Sequence, residues 1–346
     1  MNNSDNIKTN KIIAIWLAIL CLSIISMISL GGYTRLTNSG LSITEWKPIS
    51  GVIPPYNEQS WQEEFAKYQN SPEFLKINND ITMSEFKYIY IIEFAHRILG
   101  RIIAMILILP FIYFSCRNYF NSKELIIYLF AIMLLLAQGL MGWYMVKSGL
   151  INEPHVSHFR LSSHLLLACL LYITLIWQFF YQFPNRVVLK KTEEISRCLK
   201  LMIFANILLL VQIIFGGLVA GLKAGLVYNE FPLMDGNFIP TELYNMQINW
   251  RVFYHPVFVQ FLHRITAYLI LIVNIISYIK IRKLKNPNLT QAGQIMLVVT
   301  ILQAIIGILT LLYVVPLYLA MFHQIGAIIL LSSTLWIYYL LITNYR

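Results

Sequence analysis

The sequence predicts an all-α integral membrane protein, with eight transmembrane helices forming two pseudo-symmetric four-helix bundles. Three observations predict it. First, 58% of the 346 residues are hydrophobic and 12% are charged, against about 25% charge in a soluble domain. Second, apolar runs lie near 12–32, 88–115, 124–146, 159–181, 199–221, 257–280, 291–315 and 317–341. Each is long enough to cross a hydrocarbon core about 30 Å thick. Third, one pattern occurs twice. Glu93-Phe-Ala-His96-Arg97 parallels Gln260-Phe-Leu-His263-Arg264, Gln138 and Gly142 parallel Gln303 and Gly307, and His164 parallels His323. Gly31-Gly32, Gly40-Leu41, Glu45 and Gly51 likewise parallel Gly216-Gly217, Gly225-Leu226, Glu230 and Gly236. Four spans return a chain to its starting side, so the halves, 1–190 and 191–346, are parallel repeats.

The first run, Ile12 to Leu30, follows Lys8 and Lys11 and lacks a small-residue cleavage site. It reads as a retained helix, and no Arg- and Ser-rich transit peptide precedes it. Pro316 makes the connection between the last two spans very tight.

The net charge of +10 does not point to nucleic acid. The basic residues sit in short connections and tails, as membrane topology requires. Arg186, Lys190, Lys191, Arg197, Lys280, Arg282, Lys283 and Lys285 mark one side. Two long loops, 33–87 and 222–256, carry most of the acids on the other. Both termini are therefore expected on the cytoplasmic side of a bacterial inner membrane, with a mitochondrial inner membrane as the alternative. The outer stretch 56–86, rich in aromatic and charged residues, reads as a lid over the first half. Cys21, Cys116, Cys169 and Cys198 form no CxxC, which speaks against c-type haem attachment, a zinc site and disulfides.

Four histidines lie inside spans: His96, His164, His263 and His323. Ionisable side chains in hydrocarbon are costly and usually functional, although imidazoles also hydrogen-bond between helices. All four sit in even-numbered spans, 5–9 residues past the expected outer end, or about 7–14 Å deep at 1.5 Å per residue. Two imidazoles per half at one level suit axial ligation of one haem iron per half. Zinc or copper sites usually add cysteine or carboxylate ligands, and only the first half offers an intramembrane acid. His155, His158 and His255 fall near helix starts in the outer loops, as interfacial polar groups or as neighbours of haem propionates.

That acid, Glu93, precedes His96 by three residues and shares its helix face. The second half has Gln260 there. The first half is therefore expected to host chemistry and the second a fixed electron-transfer haem; the alternative is that Glu93 only orients His96 or pairs with Arg97. Arg35, Arg97, Arg160 and Arg264 are candidate propionate contacts, with Arg101 beside them, because guanidinium suits carboxylates.

These residues together resemble haem A synthase. The resemblance is carried by Glu93-x-x-His96-Arg97, Gly31-Gly32-Tyr33-Thr34-Arg35-Leu36-Thr37, Ser39-Gly40-Leu41-Ser42, Arg160-Leu161-x-x-His164-Leu165, Phe261-x-His263-Arg264 and Phe322-His323-Gln324. It runs from about residue 12 to 340. It implies oxidation of the C8 methyl of haem O to a formyl group, giving haem A for cytochrome oxidase. It implies haem b as a cofactor between His263 and His323, the substrate haem O between His96 and His164, and Glu93 as the catalytic carboxylate. An outer-loop cysteine pair known in some members is absent. Haem O synthase, cytochrome oxidase assembly factors and membrane lipid are the implied partners; the electron donor or acceptor stays unidentified. Either two hydroxylations with loss of water from a gem-diol, or removal of electrons to a carbocation captured by water, would make the aldehyde. The rival readings are a di-haem b-type cytochrome subunit and a haem transporter or chaperone.

Overall fold

The computed structural model describes residues 3–47, 51–149, 156–183, 192–247 and 249–343. His155, Arg186, Lys190 and Lys191 lie outside them. Ten α-helices occur among the described residues: α1 Asn3–Leu36, α2 Glu58–Gln69, α3 Pro72–Lys76, α4 Met83–Cys116, α5 Ser122–Gly149, α6 His158–Tyr181, α7 Glu193–Gly221, α8 Pro256–Lys283, α9 Pro287–Leu312 and α10 Leu317–Thr343. All but α2 and α3 are long and apolar enough to cross a membrane. This is the expected multi-pass helical membrane protein.

Helix boundaries follow capping chemistry more than hydropathy. Thr82 and Glu85 form a reciprocal capping box, so α4 starts at Met83, a turn earlier than its apolar run. Thr192 accepts a bond from the Ile195 amide and starts α7 at Glu193, ahead of the apolar run at 199. Pro256 and Pro287 each occupy the first turn of their helices, where a missing N–H costs nothing.

The last outer connection departs from the expected helix to residue 315. Helix α9 stops at Leu312, and Val314 and Val315 take φ of 62° and 57°. The Val315 amide reaches back to the Thr310 carbonyl and that of Val314 to Leu311. This is the crossed pattern that normally places glycine at the left-handed position. The Asn229 amide group, from the 222–256 loop, donates to the Leu311 carbonyl and to the Gly225 carbonyl. The strained end is thereby tied to that loop.

The chain divides into two compact units, residues 19–171 and residues 1–18 with 172–346. In the second, α7 packs on α8, α8 on α9, α9 on α10 and α10 on α7, a closed ring of four close seams. Tyr172 meets Ser332, and the Asn206 side chain accepts from Thr334, inside that unit. Among the described residues of 19–171, only α4 and α5 of the transmembrane helices run within 8 Å of each other over more than a residue or two. That bundle is the wider one.

The 56–86 stretch forms α2 and α3. Their Trp61, Phe65, Tyr68 and Phe74 pack on Ile43 and on Phe86, Ile89 and Tyr90 of the outer turns of α4. Lys67 bridges Glu45 and Glu64 at the edge of this cap.

A left-handed β-branched residue costs about 1–2 kcal/mol, and the Val314 side chain is exposed. Val314→Gly should therefore raise the thermal midpoint of the detergent-solubilised protein. An unchanged or lowered midpoint would show that the turn is not strained.

Candidate haem sites

The fold places each intramembrane histidine opposite a glycine of the preceding transmembrane helix. A side chain at Gly31 of α1 would meet the Nε2 of His96 on α4 at 3.3 Å, and one at Gly142 of α5 would meet Cε1 of His164 on α6 at 3.7 Å. In the other unit, Gly216 of α7 stands 3.4 Å from Cε1 of His263 on α8, and Gly307 of α9 only 2.6 Å from Cε1 of His323 on α10, measured from an added Cβ. The repeat seen in the sequence is thus a repeat of ring and ring-sized gap.

His263 and His323 face each other with ring centroids 6.3 Å apart and planes at 76°. Two imidazoles on opposite sides of one metal, each with a metal–nitrogen bond of about 2 Å, need about this separation. The His263 Nδ1 is buried without a hydrogen-bond partner, which an isolated apolar core would not tolerate cheaply. Gln303 donates from Nε2 to the His323 carbonyl at 2.8 Å and lies 3.1 Å from its Nδ1. Gln212 donates to the His263 carbonyl at 3.0 Å and lies 3.3 Å from its Nε2. The donor set, spacing and orphaned nitrogen fit a haem iron held between these rings.

His96 and His164 each face a glycine of the preceding membrane helix, Gly31 and Gly142. The Gln138 amide donates to the His164 carbonyl at 2.9 Å, and the His164 Nδ1 is buried without a partner. These two residues fit a second iron by the same chemistry, in the wider bundle.

Glu93 is buried at 3% exposure. Its Oε2 accepts from the Ser42 hydroxyl at 2.7 Å and from the Ile43 amide at 2.9 Å. Its Oε1 accepts from Arg97 Nε at 3.1 Å and Nη2 at 2.6 Å. Arg97 also donates to the Ile43 and Glu45 carbonyls and stacks over Trp46. The pair therefore straps residues 42–46 onto α4. Arg101 adds a bond to the Lys47 carbonyl. In the other unit Gln260 donates to the Tyr228 carbonyl, and Arg264 to the Tyr228 and Leu233 carbonyls. Arg264 keeps a buried Nε without a partner. Arg160 of α6 lies over the Tyr144 ring and bonds its hydroxyl, while Arg35 stands in the last turn of α1. His158 is buried as the first residue of α6, and His255 directly precedes Pro256 at the start of α8.

Sequence reasoning missed four participants. Ser42 stands out only within the Ser39-Gly40-Leu41-Ser42 motif, not as a partner of Glu93, and the Ile43 amide carries no motif. Gln212 lacks a repeat partner, since the matching position is Met27. Glu73, buried in the cap, accepts from the Tyr68 hydroxyl, which in turn accepts from Asn78. Burial pushes the Glu73 carboxyl up to about 7, and the charge of Glu93 adds to the rise while the Tyr68 bond opposes it.

The chain matches the model of the COX15-CtaA family, described as cytochrome oxidase assembly proteins, over residues 14–335. It is 44% identical over 331 residues to a protein of Rickettsia africae named "Heme A synthase", covering 96% of this chain and 98% of the relative. It is equally identical over 334 residues to the protein of that name in Rickettsia felis, covering 96% and 99%. The Rickettsia bellii protein of that name matches over 326 residues, again at 44%.

Two outcomes follow from this geometry. Gly307→Ala should push the His323 ring off axis and weaken the low-spin haem spectrum of the purified protein, whereas Gly142→Ala, at ordinary contact distance, should leave it nearly intact. Equal tolerance of both would break the link between gap and ligation. A carboxyl raised above the ordinary range near 4.3 stabilises the fold below that range and loses its contribution as pH rises through about 7. The thermal midpoint should thus fall between pH 5 and pH 8, and fall less in Glu73→Gln. Parallel curves would exclude Glu73 as the source.

Proposed function

Since this chain belongs to the COX15-CtaA family, we propose that it is a membrane oxidoreductase of haem biosynthesis that converts the C8 methyl of haem O to the formyl group of haem A. The single observation that carries the reading is the pair of matching histidine clamps, only one of which has a buried carboxylate beside it. Near full-length relatedness to proteins named "Heme A synthase" supports it.

Turning a methyl into an aldehyde is a four-electron oxidation that adds one oxygen. With water as its source, four protons and four electrons leave, the electrons to an external acceptor. With dioxygen as its source, dioxygen takes the electrons and its second oxygen leaves as water. The first unit is the reacting site. His96 and His164 hold substrate haem O by its iron and set the position of its edge. Glu93 sits one turn from His96 as the local carboxylate. Its negative charge favours positive charge developing at the methyl carbon, and its oxygens can take a proton once Ser42 or Arg97 lets go. Arg97 holds that carboxylate in place through its Nε and Nη2 hydrogen bonds. The α2–α3 cap and the 42–46 strap keep bulk water from the site.

In the second unit His263 and His323 hold haem b, which supplies one-electron redox relay when bound. Gln260 in place of a carboxylate leaves that site without a proton acceptor. Arg35, Arg160 and Arg264 are the propionate-side cations in this reading, and Arg97 serves Glu93 first. The basic connections favour both termini on the cytoplasmic side and the cap on the other. Haem O arrives from the membrane enzyme that makes it, and haem A leaves toward oxidase assembly.

Glu93→Gln should cut haem A formation by about 10²-fold or more while the second-unit haem spectrum persists. Extraction and mass analysis of the haems from cells that make haem O measures this. Full conversion by the variant would remove Glu93 from the chemistry.

A further inference from the structure

The glutamines that grip the histidine carbonyls are unevenly distributed. In the second unit both ligand helices are gripped, α8 by Gln212 and α10 by Gln303. The Gln303 oxygen sits where a side chain at Gly326 would lie, 2.2 Å from an added Cβ, so Gly326 leaves the room that this amide needs. Among the described residues of the first unit, only α6 is gripped in this way, by Gln138.

The missing grip has a definite place. Gln212 lies one turn before Gly216, the glycine facing His263. The residue one turn before Gly31, which faces His96, is Met27. Its Cε lies 3.4 Å from where a side chain at Gly100 would begin, one turn past His96. Met27 thus fills, with an apolar and flexible thioether, the position from which Gln212 bonds the His263 carbonyl. The helix seams differ in the same sense. The α7–α10 ring is close on all four sides, while among the described residues of 19–171 only α4 and α5 run side by side, and over a shorter stretch than any seam of that ring.

We propose that Gln212 is a positioning residue that locks His263 and makes the second-unit haem resident, and that Met27 at the matching position leaves His96 unlocked, so that the first unit can take up and release its haem. This rests on the reading of the first unit as the substrate site. An enzyme whose substrate and product are both haem needs one clamp that opens and one that does not. Groups that orient a ligating histidine typically change metal affinity by about 10- to 100-fold when removed.

The test uses the full-length protein in detergent, loaded with iron protoporphyrin IX, with haem transfer to excess apomyoglobin followed over time. Wild type should lose haem in a fast and a slow phase, and His96→Ala should remove the fast one. Gln212→Met should speed the slow phase about tenfold or more and broaden the low-spin electron paramagnetic resonance signal of its haem, a signature that packing alone does not move. Met27→Gln should slow the fast phase by a similar factor. A slow phase and resonance signal unchanged in Gln212→Met, or a single phase in wild type, overturns the proposal. If Gln212→Met fails to fold, seen as loss of both phases, Met27→Gln decides: an unchanged fast phase overturns the proposal. Haem O conversion is measured on the same wild-type preparation. Conversion with no response to either variant removes this inference alone, and absent conversion with the expected rate shifts removes the substrate assignment while leaving the two grips.

Discussion

An imidazole buried in hydrocarbon needs room for its ring and a polar partner for its helix, and both bundles are organised around supplying these. Each ring is given its room by a glycine on the preceding transmembrane helix, at Gly31, Gly142, Gly216 and Gly307. Helix approach, ring orientation and ligand spacing are then one constraint rather than three. A side chain at Gly307, and to a lesser degree at Gly31 or Gly216, changes the distance between helices and the direction of a ring nitrogen together, whereas Gly142 has room to spare. The 6.3 Å between His263 and His323 is the outcome where the seams are tight.

The outer elements are subordinate to that constraint. Helix α4 is extended beyond its apolar run by the Thr82–Glu85 capping box, and the added turns give the aromatic cap something to pack on. The same helix carries Glu93 and His96, so the cap, the strap and the ligand share one rigid element. Six residues separate Ile43, packed in the cap, from the end of α1 at Leu36. This return is short enough for a single carboxylate to hold it.

Much of this was legible in the sequence because duplication writes the same residue type twice. The eight spans, the four histidines and the Glu93–Gln260 difference are all visible as matched positions. What duplication does not repeat stayed hidden. Gln212 has Met27 as its counterpart, so no recurrence flagged it. Ser42 and Ile43 act through a hydroxyl and a backbone amide, which no residue pattern announces. Val314 and Val315 read as membrane residues by hydropathy, and their left-handed turn is held by their amide bonds to Leu311 and Thr310 and by the Asn229 contact, against their own preference. Glu73 looked like one of many loop acids until the cap buried it.

The strap on each ligand helix has opposite polarity in the two units. Glu93 grips a peptide N–H, at Ile43, while Gln260 grips a peptide carbonyl, at Tyr228. A carboxylate at 260 would face an oxygen, and an amide at 93 would turn donor hydrogens toward Arg97 or toward the Ile43 amide. The Ile43 and Tyr228 carbonyls nevertheless both accept from the arginine that follows, Arg97 or Arg264, so the two straps share the guanidinium's hold and differ in the peptide group that the side chain at 93 or 260 meets. The difference between the two units is thereby narrowed to one side chain and the peptide group it meets, on a loop return that a guanidinium secures in the same way in both.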